Sequence, residues 1–231
     1  DFLINNGVII VMFILVIYTG FTSDNFFTKN NFMNILMNMS SRLVIALGIA
    51  GCVITAGCDL SAGRMIGFGA CISGMLLQRM DYSGKFFPDM QPLNVFVVAL
   101  IAMLVCAAFG TVTGFFIAYL NVPPFIATLA MMEIVYGIGL IVTNATPLGG
   151  YVEQYTNVSN GKFLGINYLI WIAIIVAAIT WFIFNMTRHG KYMYAIGGNP
   201  QAAEVAGVPV KATLILIYMK AAAMYGLAGF M

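Results

Sequence analysis

The sequence predicts an all-α, polytopic integral membrane protein, on three observations. The 231 residues are 61% hydrophobic and only 8% charged, against about a quarter charged in soluble domains, too few to clothe a water-facing surface. Mean hydropathy is +0.96, and several apolar runs reach the roughly 20 residues a helix needs to cross a bilayer. Segments of about ten residues with dyad alternation, the mark of membrane β-strands, are missing. The net charge of +2 is too small to suggest nucleic acid as a partner.

Polar breaks divide the chain into about seven spans. The first lies near Leu3–Phe21, the second near Met37–Ala56, the third from Ala62 to Leu77 and the fourth from Val95 to Leu120. Phe125–Val142 is the fifth and Tyr168–Phe184 the sixth, and the seventh starts near Thr213. Turn chemistry marks the breaks: NVPP at Asn121–Pro124, TPLGG at Thr146–Gly150 and SNGK at Ser159–Lys162. Asp1 stands where an initiator Met is expected, and Met231 falls inside an apolar run. The expectation is therefore one transmembrane domain over 1–231, truncated at both ends, for which no signal peptide can be judged.

Charge bias leaves the orientation tied. With Arg188–Ala212 on the cytoplasmic side, the inner face holds Arg64, Arg188, Lys191 and Lys211. The outer loops (Thr22–Phe32, Arg79–Pro92 and Asn144–Asn167) then hold Lys29, Arg79, Lys85 and Lys162. Only the density of Arg188 and Lys191 directly after the sixth span favours that assignment.

Two small-xxx-small pairs, Gly63–Gly67 and Gly110–Gly114, let helix backbones approach closely, within one subunit or at a dimer seam. Cys52, Cys58, Cys71 and Cys106 lie in apolar segments without metal-ligand spacing and read as small buried hydrophobes, with no structural disulfide.

The sequence carries no catalytic set. His189 is the one histidine, and at a span end it reads as an interfacial or helix-C-terminal cation. No phosphate loop is present, because the Gly-Lys pairs at Gly84, Gly161 and Gly190 are followed by aromatics. If ATP drives this protein, another chain hydrolyses it, and no metal or cofactor is expected here.

Ionisable residues in or beside spans are costly and therefore functional candidates. Arg42 can snorkel from the outer end of the second span. Glu133, in the middle of the fifth, can line a polar pathway, pair with a cation such as Lys220, or sit protonated against a neighbour. The stretch TAGCDLSAGR, Thr55–Arg64, separates the second and third spans. Asp59 or Ser61 can cap the third span, Asp59 suits its positive dipole end, and Arg64 can neutralise Asp59. Two readings stand: a capped turn, or a helix break on a solute path, where polar backbone at membrane depth is tolerated. On the second reading Asp59, Ser61, Arg64 and Glu133 are the pathway candidates.

Between spans six and seven, RHGKYMYAIGGNP reads as basic and aromatic residues ending in a tight Gly-Gly-Asn-Pro turn. PQAAEVAGV then reads as a short helix with Pro200 in its first turn, Gly207 at its C-cap and Pro209 blocking continuation. Ala202, Ala203 and Ala206 offer close approach beside the lone charge Glu204. An interfacial helix would show a larger apolar face and more Lys and Arg, so this one is read as docking in a groove of another protein.

With IALGIAGCVITAGCDLSAGR and YLNVPPFIATL, the stretch AIGGNPQAAEVAGVPV resembles, in order and over nearly the whole chain, the permease subunits of bacterial ABC importers for simple sugars. Within that family it is most similar to the galactose/methyl-galactoside group, beside the ribose, xylose and autoinducer-2 permeases. The resemblance implies a type II importer-like permease of about ten spans, with Arg188–Ala212 as its cytoplasmic coupling loop. It makes Gly197, Gly198, Asn199, Pro200, Ala202, Ala203, Glu204 and Gly207 the residues that enter a cleft of the ATPase. It also implies the inner membrane as location, surrounding lipid, a second permease copy in a homodimer, an ATPase subunit that binds ATP and Mg, and a periplasmic sugar-binding protein. The same resemblance decides the orientation that charge leaves tied. Glu133 departs from the family, whose residue there is apolar or weakly polar, so the resemblance gives it no role.

The expected function is thus uptake of a simple sugar, galactose or a methyl-galactoside, by alternating access, with no covalent chemistry on this chain. The rival is an ion-coupled secondary transporter or channel without an ATPase, using Asp59, Arg64 and Glu133. It calls for inverted repeats that the sequence does not show, and it leaves the polar inner segment unexplained. A membrane enzyme would need paired catalytic groups.

Overall fold

The computed structural model describes residues 7–23 and 25–231; the opening of the expected first span, residues 3–6, and Asp24 in the break after it lie outside the described residues. The elements are α1 (Gly7–Thr22), α2 (Lys29–Ile54), α3 (Ala62–Leu76), α4 (Val95–Tyr119), α5 (Pro124–Thr143), α6 (Glu153–Asn160), β1 (Lys162–Phe163), β2 (Ile166–Asn167), α7 (Tyr168–Met186), α8 (Arg188–Gly198), α9 (Pro200–Val205) and α10 (Val210–Phe230). Among the described residues α2, α4, α5, α7 and α10 are long and apolar enough to cross a membrane, while α1 and α3 are shorter apolar helices. These are the seven expected segments.

The ends follow local chemistry. The Asn94 side chain caps α4 by accepting from the Phe96 N–H at 2.9 Å, and Asn167 caps α7 through the Leu169 N–H at 2.8 Å. Pro124 opens α5, where its missing N–H is no loss. The left-handed Asn144 (φ 51°) closes it.

Three segments differ from expectation. Helix α2 begins at Lys29, not near Met37, because Thr28 accepts from the Asn31 N–H at 3.3 Å and Asn38 bonds back to the Asn34 carbonyl at 2.9 Å. Polar residues there hide the helix from a hydropathy reading without preventing it. Residues Glu153–Asn160, expected as loop, form α6, followed by the β1–β2 hairpin. Tyr155 of α6 packs with Leu77, Val95 and Phe230 and donates its hydroxyl to the Phe230 carbonyl at 2.8 Å, and that anchor gives so short a helix its stability. The third, Arg188–Gly198, is helix α8, so Gly197 and Gly198 do not form a tight turn; the break comes only at Asn199.

The chain divides into two units, residues 1–39 and 40–231. In the first, α1 buries none of its residues and turns Val8, Phe13, Tyr18 and Phe21 outward, as a helix solvated by lipid does.

In the second unit the core forms around α10, which packs mainly on α4 and α3. Its contact with α4 depends on missing side chains. A Cβ on Gly110 would strike the Tyr218 carbonyl oxygen and the Ala222 side chain, and one on Gly114 would lie 2.7 Å from Ile215 Cα. The Gly110–Gly114 pair therefore does its packing inside this chain. Gly63 and Gly67 do not, since a Cβ on either meets nothing within 4 Å.

Hydroxyls inside the bundle are satisfied along their own helices: Thr113 donates to the Phe109 carbonyl, Thr128 to Pro124, Thr180 to Val176 and Thr213 to Pro209, at 2.8–3.0 Å. A spanning helix needs this where no water reaches. The four cysteines are free, with Cys52 and Cys106 buried.

Candidate functional site

Between α7 and α10 the chain forms two helices end to end, α8 and α9. Thr187 caps α8, accepting from the Gly190 N–H at 3.3 Å while donating to the Ile183 carbonyl at 2.6 Å. Asn199 closes α8 with its own N–H, bonded to the Ala195 carbonyl at 3.1 Å. It then opens α9, its side-chain oxygen accepting from the N–H groups of Gln201 and Ala202, both at 3.0 Å. At the far end Gly207 is left-handed (φ 83°). The Val208 N–H bonds the Ala203 carbonyl and the Gly207 N–H bonds that of Glu204, both at 3.0 Å. Those are the two bonds of a Schellman closure. A helix of six residues thus has both ends satisfied, and four residues separate it from α10.

The expected docking residues separate into two sets. Gly198, Asn199, Pro200, Ala202, Glu204 and Gly207 are exposed. Ala203 is only 5% exposed, and Gly197 is half-buried with its Cα against the Ile54 carbonyl. These two hold α8 and α9 in place within the chain. Val205, which the alanine pattern did not single out, is 91% exposed. With Ala202 and Ala206 it forms an outward apolar stripe at i, i+3 and i+4, a signal readable once the helix register is fixed at Pro200.

His189 falls in the first turn of α8 rather than at a helix C-terminus. Burial, and then the charge of Lys220, push its pKa down to about 4, so it is a neutral imidazole and not the interfacial cation its position suggested.

The pathway candidates also separate. Asp59 accepts from both the N–H (3.0 Å) and the hydroxyl (2.6 Å) of Ser61, and its other oxygen accepts from the Tyr225 hydroxyl at 3.1 Å. Ser61 stands at the N-cap of α3 with helical backbone angles (φ −71°, ψ −16°) and no side-chain capping bond, whereas capping side chains work from a non-helical backbone; its hydroxyl proton goes to Asp59. The Leu60 N–H goes to the Thr128 hydroxyl at 3.2 Å. The turn is therefore tied to α5 and α10. Arg64 does not neutralise Asp59; it lies on the exposed side of α3 with its guanidinium 3.8 Å from the centre of the Tyr136 ring. The flat cation finds a π face there, whereas Asp59 faces the core.

Arg64 and Tyr136 line a groove of about 190 Å³ between α3 and α5, floored by Gly63, Gly67 and Cys71. Glu133, one turn from Tyr136 on α5, is exposed, and among the described residues it makes no ion pair with Lys220, since the one salt bridge is Arg79–Asp81. Another buried side chain without a sequence signal is Gln78. Its amide donates to the Gly149 carbonyl at 3.0 Å and accepts from the Phe86 N–H at 2.7 Å.

Residues 31–231 match the family described as Branched-chain amino acid transport system / permease component. The chain belongs to that family. It is 39% identical over its full length to Galactose/methyl galactoside import permease protein MglC of Escherichia coli (strain K12), covering 70% of that protein. To the protein of the same description in Haemophilus influenzae it is 41% identical, again over its full length, covering 71%. With Ribose import permease protein RbsC of Escherichia coli (strain K12) it shares 31% identity over 96% of its length, covering 66% of that relative. No solved structure matches the chain. As a member of this permease family it is a multi-pass inner-membrane protein, a transport subunit rather than an enzyme, and one component of a larger transport system.

Proposed function

We propose that this chain is the sugar-conducting subunit of an ATP-driven importer, carrying galactose or a methyl galactoside, the sugars named for its relatives MglC. The observation that carries the reading is the exposed, doubly capped helix α9, with Val205 projecting 91% free. It is joined by four residues to α10, the most enclosed span. A push on α9 is delivered directly to the core. The partner for that stripe is an ATPase subunit that binds ATP and Mg; a periplasmic sugar-binding protein docks on the opposite face and delivers the sugar.

The path for the sugar runs along the α3–α5 groove. Arg64 lines this groove, Glu133 is exposed one turn from Tyr136 beside it, and exposed charges at membrane depth face water or protein rather than hydrocarbon. Two copies meeting across this groove would place the Tyr136–Arg64 surfaces on either side of one channel, with Gly63 and Gly67 keeping it wide. Asp59 and Ser61 belong to the turn behind that wall.

The test is co-purification of the complex. Val205→Asp leaves the permease folded in the membrane and removes the ATPase and sugar uptake together, whereas Arg64→Gln keeps the ATPase and loses uptake. If Val205→Asp retains both the ATPase and transport, the docking assignment is wrong.

A further inference from the structure

Two tyrosines of α10 reach the turn between α2 and α3, and only one is engaged. Tyr218 and Tyr225 are seven residues apart, two helical turns on one face, about 10 Å along the axis, and are 2% and 0% exposed. The Tyr225 hydroxyl donates to Asp59 at 3.1 Å. The Tyr218 hydroxyl is buried without a hydrogen-bond partner, although it lies at the other end of the same turn, 2.6 Å from where a Cβ on Gly57 would be. An orphaned buried hydroxyl is unfavourable, and a phenylalanine would avoid it. Asp59, for its part, has no cation within salt-bridge distance among the described residues and depends on hydroxyl and N–H donors.

The turn is fixed on its other side by the Leu60–Thr128 bond to α5, so movement of α10 along its axis changes which tyrosine faces the carboxylate. Because the Tyr218 hydroxyl already lies at the Gly57 end of the turn, two residues from Asp59, the exchange does not need the full spacing of the two tyrosines, and helices slide past each other in steps of up to a turn in known switches. The segment preceding α10 is α9, which on the reading above receives the ATPase stroke.

We propose that Asp59, Tyr225 and Tyr218 form a two-position latch between the α2–α3 turn and α10. In the present state Tyr225 holds Asp59; in the other state of the transport cycle Tyr218 donates to Asp59 in its place. Both tyrosines are positioning residues, touching the turn rather than the sugar. The inference rests on α9 being the coupling element.

Cys58, beside Asp59 and half-buried, reports the position of the turn. The experiment uses the whole transporter, permease with its ATPase, in nanodiscs, carrying Cys71→Ser so that the second half-buried thiol does not contribute. N-ethylmaleimide labelling of Cys58 is compared without nucleotide and after trapping with ATP and vanadate, alongside sugar uptake in proteoliposomes. In the parent, labelling changes on trapping. Tyr218→Phe keeps the nucleotide-free rate, loses the change on trapping and lowers uptake at least tenfold. Tyr225→Phe labels without nucleotide at the rate of the trapped parent.

A Tyr218→Phe protein with normal uptake and a normal response to trapping overturns the latch, as does a parent whose labelling ignores trapping while its ATPase stays bound. Failure of the underlying coupling reading is seen separately, as an ATPase whose association does not depend on Val205.

Discussion

The carbonyl oxygen of Ile54, the last residue of α2, occupies the place a Cβ on Gly197 would take. Helix α8 is thereby seated against the end of a span, backbone to backbone, two residues before Asn199 starts α9. Gly197 is thus a packing residue, and the adjacent Gly198, with nothing within 4 Å, is free. Gly197→Ala is expected to destabilise the detergent-solubilised protein by about 1–3 kcal/mol, the usual range for overpacking, while Gly198→Ala leaves its melting temperature unchanged. Equal melting of the two variants would remove the seat.

Ala203 and Val205 are expected to respond oppositely. Ala203→Trp forces a large ring into a position that is 5% exposed and reduces the amount of folded permease, ATPase present or not. Val205→Asp leaves that amount unchanged and acts only on assembly. Fluorescence-detected size-exclusion chromatography of the permease without its partner separates the two; a normal Ala203→Trp profile would mean that Ala203 is free to face the ATPase.

The cap of α9 is testable by itself. Asn199→Ala removes the acceptor for the Gln201 and Ala202 N–H groups, a loss of about 1 kcal/mol for a helix N-cap. Hydrogen exchange at those two amides should then quicken by about fivefold, the factor that 1 kcal/mol represents. Asn199→Asp retains an acceptor and should exchange at close to the parent rate.

His189 gives a pH dependence with a definite sign. Its folded pKa, about 4, lies below the unfolded value of about 6.5. Between those values the unfolded chain binds a proton that the folded chain does not, so stability rises with pH. The contribution is complete above pH about 6.5 and is lost as the pH falls toward 4. Unfolding midpoints in detergent measured from pH 7.5 to 4.5 should show this slope, and His189→Gln should flatten it; an unchanged slope in the variant assigns it to other groups.

Hydropathy located α3, α4, α5 and α7 to within about two residues, because an apolar run in lipid has no competing structure. It missed the opening of α2, where asparagines continue a helix beyond the apolar stretch, and it missed α6, whose stability comes from the distant Phe230. Cap chemistry located α9, since Pro200, Gly207 and Pro209 act on their own backbone. What spacing along the chain could not show was direction. Arg64 lies five residues after Asp59 and turns away to Tyr136; Ala203 turns inward while its neighbours turn out. Gly63–Gly67 and Gly110–Gly114 are the same motif, yet one is open and the other closed, because only α10 decides which is covered.

The central place of α10 also bears on how the protein enters the membrane. Its 21 residues include Lys220, Tyr218 and Tyr225, and it is less apolar than α4. Lipid alone is a poor host for Lys220, since a charged side chain at membrane depth is expensive, and α10 comes after the other described spans in the order of synthesis. The glycine-cut surface of α4 is already present when α10 leaves the ribosome, and it supplies the contacts that hydrocarbon does not. Insertion of the last described span is therefore a folding step, made against a partner helix, and a defect at Gly110 or Gly114 would appear first as α10 left outside the bilayer.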